Sequence, residues 1–294
     1  MSKKHPIIAV TGSSGAGTST VKTAFEHMFT RLSLKPAVIE GDSFHRYNRV
    51  EMKAKVAEEE AAGNKNFSHF GANANEFEKL AELFKSYGET GTGKRRLYLH
   101  SDEEAKPYAP LKPGEFTPWE DIPAGTDLLF YEGLHGCVKN DEVNMAQHID
   151  LKIGVVPVIN LEWIQKIHRD TAQRGYSEEA VMDTILRRMH DYVHYIVPQF
   201  QHTDINFQRV PVVDTSDPII ARDIPTPDES VVVIRFRKPD AIPGGVDFPR
   251  LLTMLHDSHM TRRNTIVIPG GKMGLAMELI LEPIMDEMIS RRSR

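Results

Sequence analysis

The sequence predicts an α/β protein with a mostly parallel central sheet, helices on both faces and one large insertion. Three observations carry that expectation. Short, continuous apolar runs recur at "PIIAVT" (6–11), "PAVIEGD" (36–42), "TDLLFY" (126–131) and "IDLKIGVVPVI" (149–159), and such runs read as strands buried on both faces. Each is followed by helix or loop, the alternation that parallel crossovers require. The first run enters a glycine-rich turn and then a stretch of helical period, the order of a phosphate-binding loop.

Residues 6–11 are the opening strand. From Ser19 to Leu32, apolar residues fall at Val21, Ala24, Phe25, Met28, Phe29 and Leu32, one face of a helix. Residues 36–42 form the second strand. Residues 44–125 then break the rhythm with a charged helix ("VEMKAKVAEEEAAG"), a second helix ("ANEFEKLAELFKSYG"), a strand ("RRLYLH") and the Pro-rich "PYAPLKPGEFTPWEDIPAG". That interruption reads as an insertion in a single domain spanning 1–294, suited to a substrate cover or an oligomer contact more than to core. The core resumes with 126–131, which ends at Glu132, and with 149–159. Later strands are expected at 209–215, 230–236 and 264–270, and a last helix begins near Lys272, with a kink expected at Pro283.

The 294 residues suffice for an ample core, and 40% apolar with 26% charged residues is the balance of a globular chain. A net charge of −5 leaves no global basic field for nucleic acid. A single cysteine excludes an intrachain disulfide and a cysteine-based zinc site, and fits a reducing compartment. No apolar run approaches the roughly 20 residues of a membrane span, and the apolar stretch before Thr11 is too short for a signal peptide. A cytoplasmic protein is expected.

Two glycine loops compete for an anion. "GSSGAGTS" departs from G-x-x-x-x-G-K-[ST] by placing Thr18 in the lysine position, whereas "GETGTGKR" keeps Lys94 but ends in Arg95. Context favours the first. A strand precedes it and a helix follows, so backbone amides and the helix N-terminus converge on one point. The second follows an amphipathic helix, so its glycines read as a helix stop and a turn. The nucleotide site is therefore expected at Gly12, Ser13, Ser14, Gly15, Ala16, Gly17, Thr18, Ser19 and Thr20, with Mg²⁺ held by the Ser19 hydroxyl and by Glu132.

The missing lysine needs a substitute. In "NLEWIQKIHRDTAQRG", Lys166, Asp170 and Arg174 recur at four-residue intervals with Arg169 beside them, while Leu161, Ile164 and Ile167 point elsewhere. This cationic face reads as a lid over the nucleotide; a solvated face with ion pairs would give the same pattern. Asp42, at the carboxyl end of the second strand, is the candidate base for an acceptor hydroxyl, and a helix N-cap is its competing role. His45, Arg49 and Lys53 share a face if the following segment is helical, and would suit a sugar phosphate. "HDYVH" imitates a zinc motif, but Asp191 is short for the glutamate role and the segment has core spacing. Cys137 reads as an ordinary small residue. Rival readings are a kinase of a nucleoside or of pantothenate, and a nucleotide sensor without catalysis.

Several of these stretches, "VTGSSGAGTSTV", "IEGDSFHRYNR", "LLFYEGLHG", "KIGVVPVINLEWIQKIHRDTAQRGY", "TDINFQRVPVVDTS" and "DESVVVIRFR", closely resemble the bacterial form of phosphoribulokinase over nearly the whole chain. The loop and the lid also resemble uridine kinase and pantothenate kinase. The resemblance implies the P-loop kinase fold and an ATP- and Mg²⁺-dependent phosphorylation of ribulose 5-phosphate at its 1-hydroxyl, with a related sugar phosphate as the alternative acceptor. It implies that Asp42 is the base, Glu132 a second essential acid, His45, Arg49 and Arg174 sugar-phosphate contacts, and Lys166, Arg169 and Asp170 lid residues. It also implies an octamer responsive to NADH and AMP, with Arg31, Arg187, Arg188 and Arg235 at positions linked to that control.

Overall fold

The computed structural model describes residues 4–12, 18–172, 175–221 and 223–292, and residues 18–20 by their backbone alone. The first five sheet strands lie where continuous apolar runs predict them, with one exception. β1 (Ile7–Gly12) is buried at every residue. It is followed by α1 (Thr18–Arg31), and then by β2 (Pro36–Glu40). The interruption contributes α2 (Arg49–Ala61), α3 (Phe77–Thr90), the two-residue strands β3 (Lys94–Arg95) and β4 (Glu120–Asp121), and the single-turn α4 (Asp102–Ala105) between them. β5 (Leu128–Gly133), β6 (Leu151–Val156), α5 (Ile159–Ala172), α6 (Glu178–Asp191) and β7 (Ile205–Pro211) follow. The chain closes with β8 (Ser230–Phe236), α7 (Phe248–Met254), β9 (His259–Arg262), β10 (Thr265–Pro269) and α8 (Met273–Arg292), which contains Pro283.

Eight strands form one sheet in the order β2-β5-β1-β6-β7-β8-β10-β9. The strands from β2 to β7 in that order pair in parallel, and β8, β10 and β9 are added antiparallel. β7 is the exception. It begins at Ile205 where a strand was expected over 209–215, because Ile205 and Phe207 alternate inward with polar neighbours and the chain leaves the sheet after Pro211, exposing Val212.

Side-chain alternation divides the core into two layers. Ile8, Val10, Phe130 and Ile153 face α1 and α8, where they meet Val21, Phe25, Met28, Met277 and Leu281. Ile7, Ala9, Ile39, Leu129 and Tyr131 face α3, through Phe77, Leu80, Phe84 and Tyr87. α3 is therefore a core layer, where the sequence reading expected a cover or a contact: its apolar residues recur at helical spacing and their burial outweighs the polar length around them. Gly91 ends α3 with a left-handed φ of 72°, so "GETGTGKR" is a helix stop followed by a short hairpin strand. No helix among the described residues is long and apolar enough to cross a membrane.

Candidate active site

In an open parallel sheet, ligands bind beyond the carboxyl ends of the strands. Here β1, β2, β5 and β6 all end at one rim. Ser13, Ser14, Gly15, Ala16 and Gly17 lie outside the described residues, as do Arg174 and the side chains of Thr18, Ser19 and Thr20. The described backbone supplies the context: β1 ends at Gly12 and α1 begins at Thr18.

Asp42 sits on a single helical turn, Gly41–Phe44, directly after β2. It caps no long helix. α2 is capped by Asn48, whose side chain accepts from the amides of Val50 and Glu51 while the Glu51 carboxylate accepts from the Asn48 amide. That capping box starts α2 at Arg49. His45 therefore stands on the preceding turn, off the helical face where it was expected, and only Arg49 and Lys53 share that face. His45 remains near Asp42, its Nε2 3.7 Å from Oδ1. Burial lowers the His45 pKa despite the opposing Asp42 charge.

Glu132 ends up beside Asp42 because β2 and β5 approach closely. A Cβ on Gly133 would lie 2.7 Å from Gly41 Cα, and one on Gly41 would lie 2.6 Å from the Tyr131 hydroxyl, so neither position accepts a side chain without movement. Burial, then the charges of Glu40 and Asp42, push the Glu132 pKa up to about 7, with Lys22 opposing. Such a carboxylate gains most from a cation. Among the described residues no group of three or more His, Cys, Asp or Glu side chains is arranged to hold a metal. Mg²⁺ is usually held by one or two carboxylates together with phosphate oxygens and water, and the carboxylates at this rim fit that pattern.

Two connected cavities open over this rim, of about 390 Å³ and about 880 Å³. Asp42, His69, Tyr98, His100, Lys166 and Arg188 line both. The smaller also contains Gly12, Glu132 and Arg169; the larger contains Arg49, Lys53, Asp170 and Arg187. α5 thus turns its charged face into the cleft, not into open solvent. Lys166 Nζ lies 2.5 Å from Asp170 Oδ2, and Arg169 Nε donates to Asp170 Oδ1 at 2.9 Å. Burial would raise the Asp170 pKa, but these two cations hold it below the usual carboxylate range. Lys166 shifts down as well, because its burial and the nearby Arg188 outweigh the pairing with Asp170.

The four arginines expected at effector positions separate. Arg188 lines both cavities, and Arg187 bridges Asp183 and, across the cleft mouth, Glu60 on α2. Arg31 pairs with Glu278 and Glu282 on α8. It ends α1, about 20 Å from the loop end of that helix. Arg235 is exposed on β8.

Sequence reasoning missed His69, Tyr98, His100 and Glu40. The His69 ring packs tilted against that of His45, with centroids 4.5 Å apart, and is held neutral by burial, its pKa well below the ordinary value. The segment carrying it is fixed from two sides: Asp191 of "HDYVH", buried, accepts from Ser68 Oγ at 2.8 Å, and His135, after β5, donates from Nε2 to the Phe70 carbonyl at 2.9 Å. Asp191 is thus a structural acceptor, as the core spacing of that segment implies. Cys137 is fully buried and its thiol is pushed up to about 12, the state of an inert packing residue.

Residues 7–216 match the model of the "Phosphoribulokinase / Uridine kinase family". The chain is 65% identical over all of its 294 residues to the plasmid-encoded phosphoribulokinase of Cupriavidus necator, covering 99% of that protein. It is 63% identical to phosphoribulokinase 1 of Cereibacter sphaeroides, covering 98% of each chain. The solved structure of the phosphoribulokinase from Rhodobacter spheroides superposes with a TM-score of 0.90 at 59% identity, with both chains covered completely.

Proposed function

Because the chain belongs to the phosphoribulokinase / uridine kinase family and is a kinase, we propose that it phosphorylates D-ribulose 5-phosphate at the 1-hydroxyl, giving ribulose 1,5-bisphosphate for the Calvin cycle. The observation that carries this reading is the cleft itself. One acid, Asp42, stands between the rim where the phosphate loop begins and a chamber bearing Arg49, Lys53 and Arg187. An acceptor that already carries a phosphate brings a doubly charged anion to Arg49 and Lys53; an uncharged nucleoside brings no anion, and pantothenate only a single carboxylate.

The triphosphate of ATP rests on the backbone of residues 12–19, with Lys166 and Arg169 supplying the charge that Thr18 does not. Arg174 is a sugar-phosphate contact together with His45 and Arg49. Ser19 and Glu132 would hold Mg²⁺, which would supply charge neutralisation for the triphosphate. The sugar phosphate docks by its phosphate on Arg49 and Lys53, with His45 beside the sugar. Asp42 orients the 1-hydroxyl and takes its proton as the new O–P bond forms and the bond from γ-phosphorus to the bridging oxygen breaks. Asp170 holds the two lid cations in register. Assembly as a homo-oligomer, control by NADH and AMP through Arg31, Arg187, Arg188 and Arg235, and a cytoplasmic location complete the reading, and rest on the family resemblance.

A coupled assay of ADP release across acceptors tests it. Ribulose 5-phosphate is expected to give the highest kcat/KM, and ribulose without its phosphate at least a hundredfold less. A preference for another phosphorylated sugar would keep the chemistry and change the acceptor; a preference for an unphosphorylated alcohol would refute the assignment of the cationic chamber.

A further inference from the structure

The turn bearing Asp42 and His45 is short, and its conformation decides where both side chains stand. One guanidinium reaches it from far along the chain. Arg96 Nε donates to the Ser43 carbonyl at 2.8 Å, and Arg96 Nη2 to the His45 carbonyl at 2.6 Å. The guanidinium lies over two aromatic rings, 3.7 Å from the Phe116 centroid and 4.7 Å from that of Trp119. Trp119 in turn meets Phe44, the residue between the two bonded carbonyls, edge-on at 5.4 Å. The planar group, its stacking partners and both acceptors thus form one locked unit.

Arg96 also belongs to the strand-like arm that carries Tyr98 and His100 into the cleft. Leu97 and Thr117 exchange hydrogen bonds beside it, and the His100 ring stands 4.0 Å from Asp42 and from Glu40. The same residue therefore fixes the arm to the turn, and with it the spacing between Asp42 and the groups opposite.

We propose that Arg96 is a positioning residue for phosphoryl transfer: it clamps the Gly41–His45 turn so that Asp42 meets the acceptor hydroxyl and His45 the sugar. The inference rests on the proposed role of Asp42. Arg96 touches no reacting atom. A displacement of about 1 Å at a catalytic group costs on the order of a hundredfold in rate, so the clamp matters far more for turnover than two neutral acceptors would suggest.

The test uses Arg96→Ala and Arg96→Lys in the full chain. Arg96→Ala is expected to lose about a hundredfold in kcat and to raise the acceptor KM about tenfold, with the KM for ATP within about twofold of normal. Arg96→Lys keeps a donor but cannot bridge both carbonyls while stacked, and falls between. Adding methylguanidinium at millimolar concentration restores part of the lost kcat in Arg96→Ala. A drop in kcat with both KM values unchanged and no response to methylguanidinium would mean only that less protein is folded, and would overturn the proposal. So would an unaltered kcat and acceptor KM in either variant. If Arg96→Ala does not fold, the acceptor KM and kcat of Arg96→Lys decide. Asp42→Asn is measured alongside: an active Asp42→Asn enzyme would refute the role of Asp42 itself, whereas an inactive one beside normal Arg96 variants refutes the clamp alone.

Discussion

Glu132 is a carboxylate held in a place that disfavours its charge, and replacing it should stabilise the free protein. Its pKa rises from the ordinary 4.5 to about 7 through burial and then through Glu40 and Asp42. Between those two values the folded protein keeps a proton that the unfolded chain has released. Stability is therefore lost as pH rises through that window, and the whole deficit is present above pH 7. At about 1.4 kcal/mol per unit the ceiling is about 3 kcal/mol, and partial solvent access reduces it to about 1–2 kcal/mol. Glu132→Gln removes the charge and keeps the shape. At pH 8, without nucleotide or metal, the variant should melt several degrees above the parent, since 1 kcal/mol is about 2–4 °C for a chain approaching this size. The difference should shrink toward zero as pH falls to 4.5, and should reverse in saturating MgATP if Glu132 serves the metal. Melting curves of both proteins from pH 4.5 to 8 measure it. A variant no more stable than the parent at pH 8 would refute the description of Glu132 as a strained acid.

Other outcomes follow from the same geometry. Lys166→Met and Arg169→Met should each lower turnover at least tenfold, measured by ADP release, because each removes charge from the triphosphate side of the cleft and breaks an ion pair to Asp170. Near-normal turnover in both would leave the lid reading without support. Gly133→Ala should lower activity and destabilise the fold by about 1–3 kcal/mol, since its Cβ must displace Gly41 or the Tyr131 hydroxyl; normal kcat and an unchanged melting point would contradict the close approach of β2 and β5.

The parallel half of the sheet was legible because a strand buried on both faces must be largely apolar, and β1 is apolar from Ile7 to Val10. The strand end at Gly12 and the helix start at Thr18 that flank the glycine-rich stretch were legible in the sequence. The interruption was less so. α3 covers the sheet although it lies between two core strands in sequence, and its amphipathic spacing alone does not say what it packs on. His45 was set on the wrong element, yet "NRVE" contains the capping box that starts α2, and reading Asn48 with Glu51 would have corrected it. β7 was set late because "VPVV" is the denser apolar run, whereas the alternation of Ile205 and Phe207 with polar residues marks the true strand. His69, Tyr98 and His100 reach the cleft only through the folding of the interruption, and nothing in their spacing announces it.

The central claim is that Asp42 performs the proton transfer at a rim where nucleotide and acceptor meet. It is tested most directly by measuring kcat, ATP affinity and sugar-phosphate affinity together for Asp42→Asn. The account predicts binding of both ligands within about threefold of normal and a loss of turnover of about 10²–10⁴. An Asn variant that turns over at a normal rate would move the base elsewhere and contradict it.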